Sequence, residues 1–246
     1  MMIIRSEKLE HTKKHLTPWH QHDAGQLYWL NRGMITLETP VQQGALTPGC
    51  IGWFPPHVAH QACAFGHMTG FILYLTAEYC RELPTAPQIF SANRLLQALV
   101  ERIANLNATS LTAQHLRLVQ VLIDELSSAP TAPSHLPMPQ DNRALKVARE
   151  ILENPADPRP QSQWADYGGL SARTLSRLFL AQTGLNFAHW RQQARLLRSM
   201  ELLAKGDPVG NVATACGYEN VSAYIAVFRQ RFGITPGGYF AEKQGY

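Results

Sequence analysis

Short apolar or alternating runs fill residues 16–76. QLYWL (26–30), MITLET (34–39) and GFILYLT (70–76) are separated by turn residues at Asn31–Gly33, Pro48–Gly49 and Pro55–Pro56. Runs of this length between Gly and Pro punctuation predict strands. Several at this spacing predict an all-β sandwich or barrel. Over residues 92–126 the period changes to that of a helix. Leu95, Leu99, Arg102 (through its stem), Ile103 and Leu106 fall on one face, and Leu111, His115, Leu118, Leu122 and Leu126 on a second, with Val119 and Ile123 beside them. Two amphipathic helices after a β domain either cover it or pair with a second subunit.

The stretch SSAPTAPSHLPMPQ (127–140) carries four prolines and no apolar period, so it reads as an extended, semi-stiff linker. Beyond it the pattern is helical to the end. Asp141 caps a helix through Asn154, where Pro155 stops it; Ser162 caps a short second helix ending at Gly168–Gly169; Ser171 caps a third, closed by Gly184. A long pattern from Phe187 to Lys205 ends at Gly206. Asp207–Pro208 has the form of a cap and first turn, with Gly217 closing that helix. Val221–Arg231, ended by Gly233, and a short helix from Thr235–Pro236 complete seven helices. The predicted organisation is 1–90 β domain, 91–126 helical pair, 127–140 linker and 141–246 helical domain.

Composition sharpens this division. The chain has 246 residues, with 45% hydrophobic and 16% charged, a globular balance. Residues 1–134 hold nine Lys/Arg and nine Asp/Glu, so the net charge of +4 lies wholly in the C-terminal part. Seven of the ten histidines fall within the first 67 residues. The four cysteines show no C-x-x-C spacing and read as free thiols. No apolar run has the roughly 20 residues of a membrane span, and the charged N-terminus does not read as a signal peptide. The expected location is cytoplasmic, with no membrane partner.

WADYGGLSARTLSRLF (164–179) and VATACGYENVSAYIAVFRQRF (212–232) repeat one unit: helix, tight turn containing Gly, second helix with a polar or basic outer face. That is a helix-turn-helix pattern. In the first unit Leu170, Leu175 and Leu178 or Phe179 point inward, leaving Arg173, Thr174, Ser176 and Arg177 outward. In the second Tyr224 and Phe228 anchor inward, and Ser222, Ala223, Ala226, Arg229 and Gln230 face out. A plain helical bundle is the alternative. Two such units on one helix of about 28 Å suit adjacent major grooves about 34 Å apart on one face of a duplex. The helix also carries Arg191, Arg195 and Arg198, whose partners are either backbone or acidic side chains.

The stretch from LSARTLSRLF to GYENVSAYIAVFRQRFGITPGGY, within about residues 142–240, resembles the AraC/XylS family of bacterial transcription regulators. The resemblance implies two helix-turn-helix subdomains whose third and sixth helices read double-stranded promoter DNA. It places Arg173, Ser176 and Arg177 at base-contact positions of the first reader, with Ser171 and Thr174 in the same DNA-facing set. It places Val221, Ser222 and Ala226 in the second reader. These small and apolar side chains suit thymine methyls or backbone tracking, so the first reader is expected to carry most base discrimination. Arg229 and Arg231 are expected at phosphates, which set affinity and salt dependence.

His20, His22, Gln26 and Gly33 are spaced H-x-H-x3-Q-x6-G, and Gly49, Pro55 and His60 are spaced G-x5-P-x4-H. Residues two apart on a strand share a face, so His20 and His22 can meet Gln26 and His60 inside a closed barrel. Three imidazoles and an amide oxygen form a candidate divalent transition-metal site. The spacing resembles the two cupin motifs over about residues 16–76, which implies an N-terminal cupin or jelly-roll barrel. It departs in Gln26 for the usual Glu, His57 for Gly and Ala64 for Asn. A neutral amide in place of a carboxylate suits nickel, zinc, copper or cobalt over a harder ion. Regulator cupins also serve as metal-free small-molecule pockets. Tyr28 shares the parity of Gln26 and is expected to border an effector. Of Trp19, Trp29 and Trp53, at least two are expected in the core. His11, His15 and His67 have no spacing partner and read as surface residues.

The fold class expected is therefore a two-domain α+β chain. Its function is expected to be promoter binding under the control of a metal or small-molecule effector, with RNA polymerase as partner if it activates and a homodimer through residues 91–126. A metal-dependent cupin enzyme is the rival reading, against which no acid/base pair stands out near the motifs and no catalytic residue is assigned. An effector-independent architectural DNA binder leaves the β domain unexplained.

Overall fold

The structure is a computed structural model that describes residues 4–65, 67–106 and 111–242. Two compact units divide the chain. The first takes in the residues up to Thr39 together with Ala45–His135; the second takes in Pro40–Gly44 and Leu136–Glu242.

The first unit is built from β1 (Ile4–His11), β2 (His15–His20), β3 (Gly25–Arg32), β4 (Ile35–Thr39), β5 (Gln42–Leu46), β6 (Cys50–Phe54), β7 (His60–Ala64), β8 (Met68–Leu75) and β9 (Gln88–Ser91), then α1 (Arg94–Ala104) and α2 (Ala113–Ser128); β5 and the short strand β10 (His135–Pro137) each divide their residues between the two units. The strands form two sheets, in the orders β1-β8-β3-β6-β9 and β10-β5-β4-β7-β2. Strand β3 explains why QLYWL lacks alternation. Tyr28 and Leu30 pack with Leu37, Leu46 and Ala64 of the second sheet, whereas Leu27 and Trp29 pack with Leu96, Val100, Val119 and Leu122 of the helices. The strand is apolar on both faces because it lies in the middle of three layers.

The helical pair therefore covers the β domain, on a face shifted from the one the sequence predicts. Leu95 is exposed; Leu96, Leu99, Val100 and Ile103 are buried. Asn93 caps α1, its Oδ1 accepting from Leu96 N–H at 2.8 Å, and this fixes which residues of the first turn face inward. Trp29 and Trp53 are in the core and Trp19 is exposed. Strand β1 escapes the hydrophobic pattern because it is charged, alternating as IRSEKLEH against β8.

The segment 127–140 is not a free linker. Helix α2 runs on to Ser128, Thr131 bridges Phe90, Ala132 N–H donates to Ile89 O at 2.7 Å, and Ala132, Leu136 and Met138 are buried. Its prolines suit an extended strand that lies along others and donates few hydrogen bonds.

In the second unit α3 (Asn142–Glu153), α4 (Gln161–Tyr167), α5 (Ala172–Thr183), α6 (Phe187–Ala204), α7 (Val209–Ala215), α8 (Val221–Phe232) and α9 (Pro236–Glu242) follow one another. Asp141, Ser171, Asn186 and Asn220 cap α3, α5, α6 and α8 with side-chain oxygens. Ser162 and Asp207 do not act as caps. Pro160 and Pro208 occupy the positions before α4 and α7, with φ of −70° and −59°. Proline's fixed φ starts the helix at the next residue without a side-chain cap. Phe179 packs edge-on against Phe187 and Trp190, each at 5.1 Å between centroids, and Trp190 Nε1–H donates to Pro137 O at 2.7 Å.

Candidate nucleic-acid interface and metal centre

The first helix-turn-helix unit is α4, the Gly168–Gly169 turn and α5. Leu170 N–H closes the turn on Ala165 O at 2.8 Å. Leu170, Leu175, Leu178 and Phe179 are buried, and Arg173 and Arg177 are exposed. Ser171 Oγ accepts from Thr174 N–H at 3.1 Å and lies 2.9 Å from Thr174 Oγ1, so both residues serve the cap. Ser176 Oγ accepts from Gln161 Nε2 at 2.5 Å, which ties the reader to α4. The two free arginines are thus the adaptable groups of this face.

The second unit is α7, a turn at Gly217 and α8. Tyr224 and Phe228 are fully buried, whereas Val221, Ser222, Ala226 and Arg229 are exposed. Ser222, Ile225, Ala226, Arg229 and Gln230 line one shallow depression on the outer face of α8. Arg231 differs from Arg229: it is partly buried, and that burial pulls its guanidinium below the usual range.

Helix α6, about 27 Å long, resolves the arginines whose partners the sequence left open. Arg191 donates to Arg159 O at 3.0 Å and to Asp157 O; Arg195 Nε donates to Pro155 O at 2.9 Å; Arg198 pairs with Glu201. Two of the three therefore pin the loop 155–159 that leads into α4. Arg159 itself stacks on Trp164 at 3.9 Å and pairs with Asp157 at 2.7 Å, holding that carboxyl below its ordinary value.

In the first unit the structure brings His20, His22 and His60 together, each offering a ring nitrogen within 4.8 Å of the others. His20 faces His60 across the β2–β7 pairing after a register shift, with ring centroids 4.4 Å apart. His22 does not share the strand: β2 ends at His20, and His22 reaches the site from the turn before β3. Its position is held from outside, because His57 N–H donates to His22 O at 2.7 Å. His57 adopts φ 63°, the left-handed region that glycine favours, and its ring lies 3.5 Å from Asp23. The His-for-Gly exchange thus leaves the turn intact.

The ring nitrogens are sorted by their partners. Nδ1 of His20 lies 2.6 Å from Pro18 O, and Nδ1 of His60 lies 2.8 Å from Val58 O. A carbonyl can only accept, so each Nδ1 carries the proton and each Nε2 presents a lone pair. Nε2 of His22, Nε2 of His60 and Oε1 of Gln26 are buried without a hydrogen-bond partner among the described residues. Burial, with lesser repulsion from His20 and His22, pushes His60 down to about 4, and burial also lowers His22. Neutral imidazole is the form that binds a metal. Gln26 and His60 are each only 1% exposed, and Phe54 stacks on His60 at 4.4 Å. Tyr28, buried beside Phe54 and 6.5 Å from His60, borders the cluster. His11 and His15, read as unpartnered, stack on each other at 4.3 Å across the β1–β2 turn.

Residues 164–242 match the helix-turn-helix domain family. The chain is 32% identical over 227 residues to the HTH-type transcriptional regulator NimR of Escherichia coli K12, covering 92% of this chain and 82% of that protein. The chain belongs to the AraC family. It is a DNA-binding transcriptional regulator. RipA of Corynebacterium glutamicum shares 37% identity over 100 residues, 41% of this chain and 30% of RipA. ToxT of Vibrio cholerae aligns over 97% of this chain and 98% of its own, at 11% identity and a TM-score of 0.43. The family match in this AraC-type chain spans both turns and both outer faces, from Trp164 through α9. Its relatives bear the names of transcription regulators. Among the described residues no helix is long and apolar enough to cross a membrane.

The sequence missed the clamps on the reader and the surroundings of Gln26. Arg191 and Arg195 show no motif beyond their spacing of four along α6. Tyr74 and Glu7, described below, are brought to Gln26 only by strand register.

Proposed function

We propose that this regulator binds promoter DNA through Arg173, Ser176 and Arg177 in one groove and Val221, Ser222 and Ala226 in the next. Arg229 and the capped helix starts contact phosphates. In the same reading the N-terminal unit is a cupin-type sensor in which His20, His22, Gln26 and His60 hold a divalent transition metal such as nickel, zinc, copper or cobalt. An effector binds beside Tyr28. The seven helices after residue 141 form the responding domain; a homodimer through α1 and α2, and RNA polymerase where the regulator activates, are its other partners.

The observation that carries the sensing half is the gathering of the His20, His22 and His60 rings, with Nε2 of His22, Nε2 of His60 and Oε1 of Gln26 all buried and without a hydrogen-bond partner among the described residues. Leaving such atoms unpaired costs about 1–3 kcal/mol each. Nδ1 protons directed at backbone carbonyls are the outer arrangement of metal-bound histidine. The donor set fits a borderline ion: three neutral nitrogens and a neutral oxygen. A bound ion would supply an open coordination position for water or for an effector's donor atoms. To act on DNA, the ligand must bind two states of the protein unequally.

Metal analysis of full-length protein purified without an affinity tag tests this. Stoichiometric metal is expected in the wild type and its loss in His20→Ala/His22→Ala. Equal content in the two rejects the site. Operator affinity measured with and without the metal then tests the coupling, and identical affinities reject a signalling role.

A further inference from the structure

A carboxylate offers a metal two equivalent oxygens, but an amide offers an oxygen on one side and two N–H donors on the other. Gln26 in the place of a glutamate therefore needs something to decide which end faces the histidines. The strand register supplies it. Arg5 lies opposite Tyr74 in the β1–β8 pairing, Tyr74 opposite Gln26 in β8–β3, and Gln26 opposite Phe54 in β3–β6. Directly opposed residues share a sheet face, so these four side chains form one row across the sheet. Glu7, two residues beyond Arg5, projects from the same side. At the inner end of the row Phe54 stacks on His60.

The polar groups along this row are ordered from the outer end inward. Tyr74 Oη donates to Glu7 Oε2 at 3.1 Å, since a carboxylate only accepts. With its proton committed, the Tyr74 oxygen has only lone pairs to offer Gln26, which stands directly opposite it in the β3–β8 register. Gln26 therefore presents its NH2 to Tyr74 and its Oε1 to the other side, where that oxygen is buried without a partner. Arg5 stacks over the Tyr74 ring at 4.1 Å and lies 3.8 Å from Glu7, fixing the outer end.

We propose that Glu7 and Tyr74 are positioning residues of the metal site, which orient the Gln26 amide so that its oxygen, not its NH2, faces His20, His22 and His60. The inference rests on the metal reading above and adds to it how a neutral amide is made a reliable ligand. Reversing the amide would aim two N–H dipoles at a cation. The polarity is set at the surface by one carboxylate, through its hydrogen bond to Tyr74 and the Tyr74 oxygen that faces Gln26 across the strand pair.

Zn2+ and Co2+ titrated into the full-length protein provide the test, with calorimetry for affinity and the Co2+ visible spectrum for ligand geometry. Tyr74→Phe removes the acceptor that orients Gln26. Affinity is expected to fall about 10- to 100-fold, the usual effect of losing an outer partner, with an altered Co2+ spectrum. In a Gln26→Glu background the same substitution should cost no more than about threefold, because a carboxylate needs no orienting and the coupling is lost. Glu7→Gln, at a half-exposed position, is the second variant. Its amide can donate to Tyr74 and so reverse the row, and the same loss of affinity is expected without removing any aromatic packing. Unchanged affinity and spectrum in Tyr74→Phe, or in Glu7→Gln should Tyr74→Phe not fold, overturns the proposal. An equal loss in the Gln26→Glu background also overturns it. Wild-type protein that takes up no stoichiometric ion removes the metal reading and this inference together, whereas stoichiometric uptake with unaltered variants removes only the positioning role.

Discussion

Gly184, Gly217 and Gly233 offer a controlled comparison, because all three hold left-handed backbone, with φ of 73°, 74° and 77°. Replacing each with alanine imposes the same intrinsic penalty, about 1–2 kcal/mol. It is offset by about 0.4–1 kcal/mol from the less flexible unfolded chain. The surroundings differ. A Cβ at Gly184 or Gly233 meets nothing within 4 Å, but at Gly217 it meets Ala156 Cα at 2.8 Å and Arg195 Nη2 at 2.8 Å. The Ala156 contact is with backbone and cannot swing aside. Arg195 cannot move without straining its bond to Pro155 O. Overpacking of this kind adds about 1–3 kcal/mol. The expected destabilisation is thus about 1 kcal/mol for Gly184→Ala and Gly233→Ala, and about 2–4 kcal/mol for Gly217→Ala. Urea unfolding of the full-length variants, followed by the fluorescence of the buried Trp164 and Trp190, measures all three. DNA affinity of Gly217→Ala should fall as well, since the second reader starts from this turn. If Gly217→Ala unfolds no more easily than Gly233→Ala, the close packing of the α7–α8 turn against residues 155–156 is wrong.

The remaining predictions follow from single side chains. Arg177→Ala should lower discrimination between the best site and its variants by about 1–3 kcal/mol per contacted base, while Arg229→Ala should weaken all duplexes alike and reduce the salt slope by about one unit; a binding-site selection on each variant separates the two, and unchanged preference in Arg177→Ala refutes the assignment. Arg191→Met removes two charge-assisted bonds to the carbonyls of Asp157 and Arg159, so a loss of about 2–4 kcal/mol is expected in urea unfolding, and a loss under 0.5 kcal/mol contradicts a clamping role. His60, held down to about 4 by burial, stays neutral in the fold while the unfolded chain protonates near 6.5. Stability of the metal-free first unit is therefore full above pH 6.5 and falls by about 3 kcal/mol as the pH drops to 4. An imidazole NMR titration placing His60 near 6.5 would refute this.

How much could be read in advance depended on how local the signal was. Helices α3, α5, α6 and α8 were legible from Asp141 and Ser171, which cap as expected, from Gly184 and Gly233, which close in the left-handed region, and from apolar period; the caps Asn186 and Asn220 were not singled out. Where proline stands within two residues of the polar one, Pro160 before Ser162 and Pro208 after Asp207, the proline sets the boundary and the polar side chain is not used as a cap. The face of α1 was misplaced by one residue, since an apolar residue at position 95 and another at 96 carry the same pattern, and the Asn93 cap together with packing in the cluster that holds Trp29 and Trp53 selects the second. The proline-rich segment was misread as a linker for a related reason. Its prolines do exclude helix, but whether an extended chain floats or lies along strands depends on partners such as Ile89 and Phe90, forty residues away.

The histidine cluster marks the limit of sequence reasoning from the other side. The spacing of His20, His22, Gln26 and His60 was visible, but the means of their assembly was not. His22 reaches the site from a turn held by His57, and the row Arg5–Tyr74–Gln26–Phe54 joins four strands. Strand β1 contributes its outer end and shows little apolar pattern, because on the face where Leu9 meets the core, Arg5 and Glu7 are given over to Tyr74. A charged strand that pairs along its full length with an apolar one, as Ile4–His11 does with β8, is better understood as one side of a polar site than as an edge kept soluble. The charge in β1 and the neutral amide at Gln26 are then connected through the proposed positioning role: Glu7 holds the Tyr74 proton, and Tyr74 stands directly opposite Gln26.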